Sequence, residues 1–318
     1  LENKIFDTNQ KNFDEIAIEV FHYQYKNNSV YKKFVDYLGK SIPKSIYEIP
    51  FLPISFFKTH EVRCHRNNVE AIFKSSGTGG HRSIHYVESL KMYDKSFEIT
   101  YRNQIGNPED QIIIALLPNY VDQGESSLVY MVDKLIQLSN NSLSNFYLND
   151  LNKMIETYQL AINSGKKVVI FGVSYALLDL AELTPDFSKA TIIETGGMKG
   201  RRKELSKEEL HSILKKGLNV TYISSEYGMS ELLSQSYSDK NGVFTSPPWM
   251  KILIRDVNDA LSYESDGKTG GINVIDLANL HSCSFIATQD LGKVQGNTFQ
   301  LMGRFDNADI RGCNLLVE

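Results

Sequence analysis

The sequence predicts a mixed α/β protein: parallel βαβ units flanked by helices, followed by a β-rich subdomain at the C-terminal end. Two observations predict it. From about residue 69 to 242, short apolar runs of strand character alternate with stretches whose apolar residues recur at helical spacing. From about residue 243 onward, strand-like runs follow one another with no helical pattern between them.

The first segment, residues 1–68, reads as helical up to about residue 48, with Phe13, Ile16, Ile18, Val20, Phe21 and Tyr23 on a broad apolar side. Pro43, Pro50 and Pro53 then break it into an extended piece from Ile49 to Ile54, because proline lacks the amide donor that a helix interior or central strand requires. Val69 to Phe73 alternates as a strand and gives way to Lys74-Ser75-Ser76-Gly77-Thr78-Gly79-Gly80, after which a helical pattern starts near Ser89. Gln111 to Leu117 is a nearly continuous apolar run, as expected of a strand buried on both faces. Leu128, Met131, Val132, Leu135 and Ile136 mark a helix, and another runs from about Asp150 to Asn163, with Gly165 placed for a left-handed C-terminal turn. Lys167 to Phe171 and Ala190 to Glu194 are strands, with a helix from Tyr175 to Leu183 between them. Ser206 and Glu209 form a capping box that opens a helix, Gly217 is expected to close it, and Val220 to Ile223 is the next strand. Residues 69–242 thus read as an α/β part. Residues 243–318 form the β-rich part, with runs at Met250–Arg255, Gly271–Asp276, Ser284–Thr288 and Thr298–Met302.

The 318 residues suffice for one large or two smaller domains. The net charge is −4 with acids and bases intermixed, so no basic face points to a nucleic-acid partner. No apolar run is long enough to cross a bilayer, and Leu1-Glu2-Asn3-Lys4 is not patterned as a signal peptide. The three cysteines, Cys64, Cys283 and Cys313, are few, odd in number and far apart, which predicts free thiols in a reducing, cytoplasmic setting.

In parallel sheets, ligands gather at the carboxyl ends of the strands. Three polar, glycine-containing stretches fall at such ends: the Ser/Gly/Thr loop after Lys74, then Thr195-Gly196-Gly197, then Ser224-Ser225-Glu226-Tyr227-Gly228. The first has phosphate-cradling chemistry, since glycines admit an anion close to the backbone while N–H groups and hydroxyls donate to it. It lacks the Gly-Lys-Ser/Thr of a Walker loop, and by itself it reads equally as an ordinary turn.

Four motifs stand in order along the chain: Ser75-Ser76-Gly77-Thr78-Gly79-Gly80, Glu226-Tyr227-Gly228-Met229-Ser230-Glu231, Thr288-Gln289-Asp290-Leu291-Gly292 and Gly303-Arg304-Phe305-Asp306. Over about residues 50–313 this series resembles the core motifs of the adenylate-forming superfamily of acyl-CoA synthetases and luciferases. Within it, the likeness is to the bacterial acyl-protein synthetases that feed bioluminescence aldehyde synthesis, and next to phenylacetate-CoA ligases. Ile49-Pro50-Phe51-Leu52-Pro53 with Phe57-Lys58 is similar to the segment those proteins carry ahead of the phosphate loop, and Arg311-Gly312-Cys313 is similar to the acyl-protein synthetase ending.

The resemblance implies a fold like the large N-terminal domain of adenylate-forming enzymes and an ATP- and Mg²⁺-dependent activation of a carboxylic acid, of the fatty class, as acyl-AMP. It implies that Ser75, Ser76, Gly77, Thr78 and Gly79 hold phosphates and that Glu231 binds Mg²⁺. Tyr227 would stack on or border the adenine, with Gly228 in the same cofactor-binding set, and Gly196 and Gly197 would border the adenine and acyl pockets. Asp290 and Arg304 would serve the ribose or phosphate, and Cys313 would accept the acyl group for delivery to a reductase or carrier protein. A soluble thiol such as coenzyme A, used by an aryl- or small-acid ligase, and a non-catalytic nucleotide-binding relative are the alternatives. Departures from the family pattern are Gly79 in place of threonine, His81 near the place of a lysine, and Gln289 in place of glycine. Only a dozen residues follow Asp306, where coenzyme A ligases continue into a domain bearing a catalytic lysine. Read singly, Asp290 is a turn cap, Glu231 an acid in the first turn of a helix, Tyr227 core, and Cys313 a small buried hydrophobe.

Overall fold

A computed structural model of the chain describes residues 1–39, 42–65, 68–75, 82–117, 125–148, 150–196 and 205–305. Its elements in chain order begin with α1 (Glu2–Phe6), α2 (Phe13–Asn27), α3 (Ser29–Tyr37) and β1 (Leu52–Pro53), then β2 (Ala71–Lys74), β3 (Ile84–Val87) and α4 (Leu90–Gln104). The α/β stretch follows as β4 (Gln111–Leu116), α5 (Ser127–Ser139), β5 (Asn145–Phe146), α6 (Leu151–Ile162), β6 (Lys167–Val173), α7 (Ser174–Glu182), β7 (Ala190–Thr195), α8 (Lys207–Gly217) and β8 (Ser224–Tyr227). The remainder is β9 (Ser236–Ser238), β10 (Phe244–Thr245), β11 (Met250–Arg255), β12 (Gly270–Asp276), β13 (Phe285–Gln295) and β14 (Thr298–Arg304).

The strands form one continuous sheet in the order β11-β12-β13-β14-β10-β9-β8-β7-β6-β4-β5, with β2 and β3 as a separate hairpin. The half from β5 to β8 is parallel, and from β8 onward the pairs are antiparallel. This is the mixed α/β organisation the sequence predicts. The apolar runs dictate it: Ile112 to Leu116 on β4 and Val168 to Phe171 on β6 are at most 2% exposed, which only a strand covered on both faces achieves. The helical face over them carries Tyr93, Phe97 and Tyr101 of α4, and Tyr101 stacks on Phe171 at 6.1 Å.

The proline-rich piece supplies β1, which pairs in parallel with Leu52 opposite Ile286. It occupies the side of β13 that β14, paired only with residues 290–295, leaves free. This edge position tolerates Pro53. The N-terminal helices are tied down by buried amides: Gln24 Nε2 donates to the carbonyls of Asn279 and Leu280, and Asn28 Nδ2 to that of Ser282.

Several local expectations are corrected. The strand expected at Val220–Ile223 lies instead at Ser224–Tyr227, because Ser224 and Ser225 are satisfied across the sheet. The Ser224 hydroxyl donates to the Ser238 carbonyl at 2.6 Å, and the Ser225 amide donates to Ser238 Oγ at 2.8 Å. The helix expected near Ser89 is α4, but β2 belongs to no parallel unit: the phosphate loop joins it to β3 in an antiparallel hairpin ahead of that helix. Gly217 is the last residue of α8 rather than its left-handed cap: a Cβ there would lie 2.7 Å from the Ala181 carbonyl oxygen, so glycine allows α7 and α8 to approach. Gly165 has the predicted positive φ of 78°.

Candidate active site

The described stem of the phosphate loop is a closed hairpin mouth. The Ser75 amide donates to the Ser83 carbonyl at 3.1 Å, and Ser75 Oγ accepts from the Ser83 amide at 3.0 Å. Glu125, just ahead of α5, pairs with Lys74 and, at 3.1 Å, with Arg82. The hydrogen bond from Lys74 is the largest cause holding its carboxyl below the ordinary value. Ser76, Gly77, Thr78 and Gly79 lie outside the described residues, as do Gly197 and Cys313.

At the carboxyl end of β7 the chain turns at Gly196 with φ +70°, and the Gly196 carbonyl accepts from Ser174 Oγ at 3.2 Å. The Thr195 hydroxyl donates to Glu226 on the neighbouring strand. Glu226 precedes Tyr227, whose ring is 5% exposed and packs edge-on against Phe299 and Phe244. The ring therefore sits in an aromatic cluster, and its hydroxyl reaches out to donate to Asp290 Oδ2 at 3.0 Å. A Cβ at Gly228 would stand 2.3 Å from Glu226 Oε1, so a side chain there would displace that carboxylate.

Asp290 stands in the middle of β13, not at a turn, directly opposite Arg304 on β14, whose Nε lies 3.0 Å from Asp290 Oδ1. Burial raises the Asp290 carboxyl above its ordinary value against the opposing charge of Arg304. Arg255 braces the same strand from beneath. Its guanidinium donates to the carbonyls of Ile272 and Thr288 and to Asn273 Oδ1, and a Cβ at Gly271 would lie 2.5 Å from Arg255 Cζ and displace the guanidinium from these partners. Glu231 is not helical; it occupies the turn between β8 and β9, 4% exposed, and its Oε2 accepts from Ser230 Oγ at 3.0 Å. Among the described residues no cation pairs with the Glu231 carboxylate and no three side chains form a metal cage. Glu231 offers one carboxylate, and Mg²⁺ is commonly held by one or two carboxylates together with substrate phosphates.

The contacts join motifs far apart in sequence: Tyr227 to Asp290, Asp290 to Arg304, and His85 of the phosphate-loop hairpin to Ser230 at 2.8 Å. The family model for acyl-protein synthetase, LuxE, matches residues 4–318. The chain belongs to this family. No curated protein matches it. Among solved structures, ATP-bound MatB from Rhodopseudomonas palustris is similar at 16% identity and a TM-score of 0.57, over 75% of this chain and 48% of that one. A 2-hydroxyisobutyryl-CoA ligase in complex with 2-HIB-AMP and CoA is similar at 12% identity and a TM-score of 0.67, over 93% of this chain and 68% of that one. The same ligase in its postadenylation state gives 11% and 0.64. The chain thus has the fold of adenylate-forming enzymes and spans about half the length of MatB. Among the described residues no helix is long and apolar enough to cross a membrane.

For this acyl-protein synthetase family member, one cluster beside the site escaped the sequence reading. Glu194 on β7, fully buried, accepts from Ser174, Lys207 and, at 3.0 Å, Ser225, with His211 Nε2 at 3.9 Å. Burial works to raise its carboxyl, but the His211 hydrogen bond and the Lys207 charge hold it down to about 2. Glu226 behaves oppositely: burial and the neighbouring Glu194 charge raise it to about 7. The only signal in the sequence was an acid closing an otherwise apolar strand, Ala190-Thr191-Ile192-Ile193-Glu194.

Proposed function

We propose that the chain uses ATP and Mg²⁺ to activate a carboxylic acid of the fatty class as its acyl-AMP, passes the acyl group to the thiol of Cys313, and delivers it to a partner reductase or carrier protein. The observation that carries this reading is the contact of Tyr227 with Asp290 and of Asp290 with Arg304, which places three of the four motifs in one cluster. A carboxylate is a poor acyl donor because oxide is a poor leaving group. Attack of its oxygen on the α-phosphorus of ATP forms the mixed anhydride and breaks the bond to pyrophosphate. Such a step depends on positioning and charge neutralisation.

The chain's own residues divide that work. The loop from Ser75 to Gly79 would donate backbone N–H groups and hydroxyls to phosphate oxygens. Asp290, steadied by Tyr227 and Arg304, would accept from ribose hydroxyls, and the Gly196 turn beside Gly197 would border the acyl chain. Gly228, where a side chain would displace the Glu226 carboxylate, would belong to the nucleotide-binding set. Glu231 would hold Mg²⁺, which supplies positive charge at the phosphates. Attack of the Cys313 thiolate on the acyl carbonyl then forms the thioester and releases AMP. Of the cysteines, Cys64 and Cys283 are buried, and burial pushes the Cys283 thiol up to about 12, which makes it a poor nucleophile at neutral pH. Cys313 is the remaining candidate.

Incubation with ATP, Mg²⁺ and a labelled fatty acid is expected to give a hydroxylamine-sensitive protein adduct that Cys313→Ser abolishes. An adduct unchanged in that variant, or an acid-dependent coenzyme A thioester formed with no adduct, would refute Cys313 as acceptor.

A further inference from the structure

Two side chains outside the four motifs hold the turn that carries Glu231. His85 stands on β3, opposite Phe73 in the phosphate-loop hairpin, and is 1% exposed. Its Nδ1 lies 2.8 Å from the carbonyl oxygen of Ser230. A carbonyl only accepts, so Nδ1 carries the proton. The ring is neutral, since burial pushes it down to about 4, and among the described residues Nε2 is then a buried acceptor without a hydrogen-bond partner. Asn279 acts on the next residue: its Nδ2 donates to the Glu231 carbonyl at 2.8 Å and to the Cys283 carbonyl at 2.9 Å. Among the described residues its Oδ1 is buried without a hydrogen-bond partner.

The carbonyls of Ser230 and Glu231 are therefore each pinned by a side chain from a different part of the chain, and the Ser230 hydroxyl in turn donates to the Glu231 carboxylate. Packing alone does not call for histidine here. An apolar side chain of the same size would avoid burying an unpaired Nε2. What the imidazole adds is its hydrogen bond to Ser230, which crosses from the hairpin bearing the phosphate loop to the turn bearing the metal carboxylate.

We propose that His85 is a positioning residue for Glu231: through the Ser230 carbonyl it fixes the carboxylate's direction relative to the phosphate-loop hairpin before nucleotide and metal arrive. This rests on the reading of Glu231 as the Mg²⁺ ligand. Groups that orient a metal ligand typically change metal affinity on the order of 10- to 100-fold when lost.

Mn²⁺ is the probe, followed by electron paramagnetic resonance during titration into the full chain with a non-hydrolysable ATP analogue, and without metal by calorimetry of the analogue alone. His85→Ala is expected to weaken Mn²⁺ binding to the nucleotide complex about 10-fold while metal-free nucleotide binding holds. His85→Asn, whose amide nitrogen falls near the place of Nδ1, should restore most of that loss, whereas His85→Gln, whose amide falls near Nε2, should not. Wild-type affinity in a folded His85→Ala would overturn the proposal. If His85→Ala does not fold, equal Mn²⁺ affinity in the Asn and Gln variants would overturn it. Failure of the wild type to take up Mn²⁺ with nucleotide would instead overturn the Mg²⁺ reading on which the proposal stands.

Discussion

Glu226→Gln tests the electrostatics beneath the site. Glu226 lies on β8 with its carboxyl accepting from Thr195, and burial, reinforced by the Glu194 charge, raises it from 4.5 to about 7. The unfolded chain releases this proton near 4.5 and the folded chain holds it until about 7. Over that window the folded state binds more protons, so stability falls as pH rises and levels off above 7. Each tenfold in proton affinity is worth about 1.36 kcal/mol, so the gap amounts to about 3 kcal/mol. Glutamine keeps an acceptor for Thr195 and does not titrate. The variant should match the wild type near pH 4.5 and exceed it by about 3 kcal/mol at pH 8. Asp276, which burial raises to about 6, adds a similar slope to both proteins and cancels in the difference. Glu194, held down near 2, titrates below this window. Urea unfolding followed through Trp249, the single tryptophan and 2% exposed, measures the difference at each pH. Parallel stability curves from pH 4.5 to 8 would refute the reasoning.

Two further outcomes follow from the same geometry. Asp290→Asn should weaken ATP binding, measured by calorimetry, by about 10-fold or more, the worth of a hydrogen bond to a charged group, without loss of thermal stability, because burial already disfavours the Asp290 charge and Arg304 is 71% exposed; unchanged ATP affinity would remove Asp290 from the site. Gly217→Ala should destabilise the protein despite alanine's better helix propensity of about 1 kcal/mol, since its Cβ would lie 2.6 Å from Ala181 Cβ and 2.7 Å from the Ala181 carbonyl oxygen. Overpacking of this kind costs about 1–3 kcal/mol, so a rise in melting temperature would show that the two helices part freely.

What could be read from the sequence divides by whether the cause is local. The strand at Ile112–Leu116 was legible because a strand covered on both faces must be apolar, and that requirement is written in the residues themselves. The strand Ser224–Tyr227 was displaced in the sequence reading because its polar residues are buried against partners elsewhere: Ser224 and Ser225 on Ser238, and Ser225 also on Glu194. Gly217 was legible as a glycine at a helix end, but its reason lies in Ala181 of another helix. The same division runs through the site. The Ser/Gly/Thr loop and the Glu226–Glu231 motif announce themselves by local chemistry, whereas Arg255 and His85 act through the carbonyls of Thr288 and Ser230 and leave no local pattern. One class of distant partner does leave a trace. Glu194 ends the run Ala190–Ile193 and Asp276 ends Gly271–Ile275, and an acid cannot be buried at the end of such a strand unless donors converge on it. Both have them: Ser174, Ser225 and Lys207 around Glu194, and the amides of Leu233 and Ser234 with the Ser234 hydroxyl around Asp276. An acid closing an apolar strand is therefore itself a sequence signal for a buried polar cluster, and here it marks the two turns, after β7 and after β8, between which the proposed site is built.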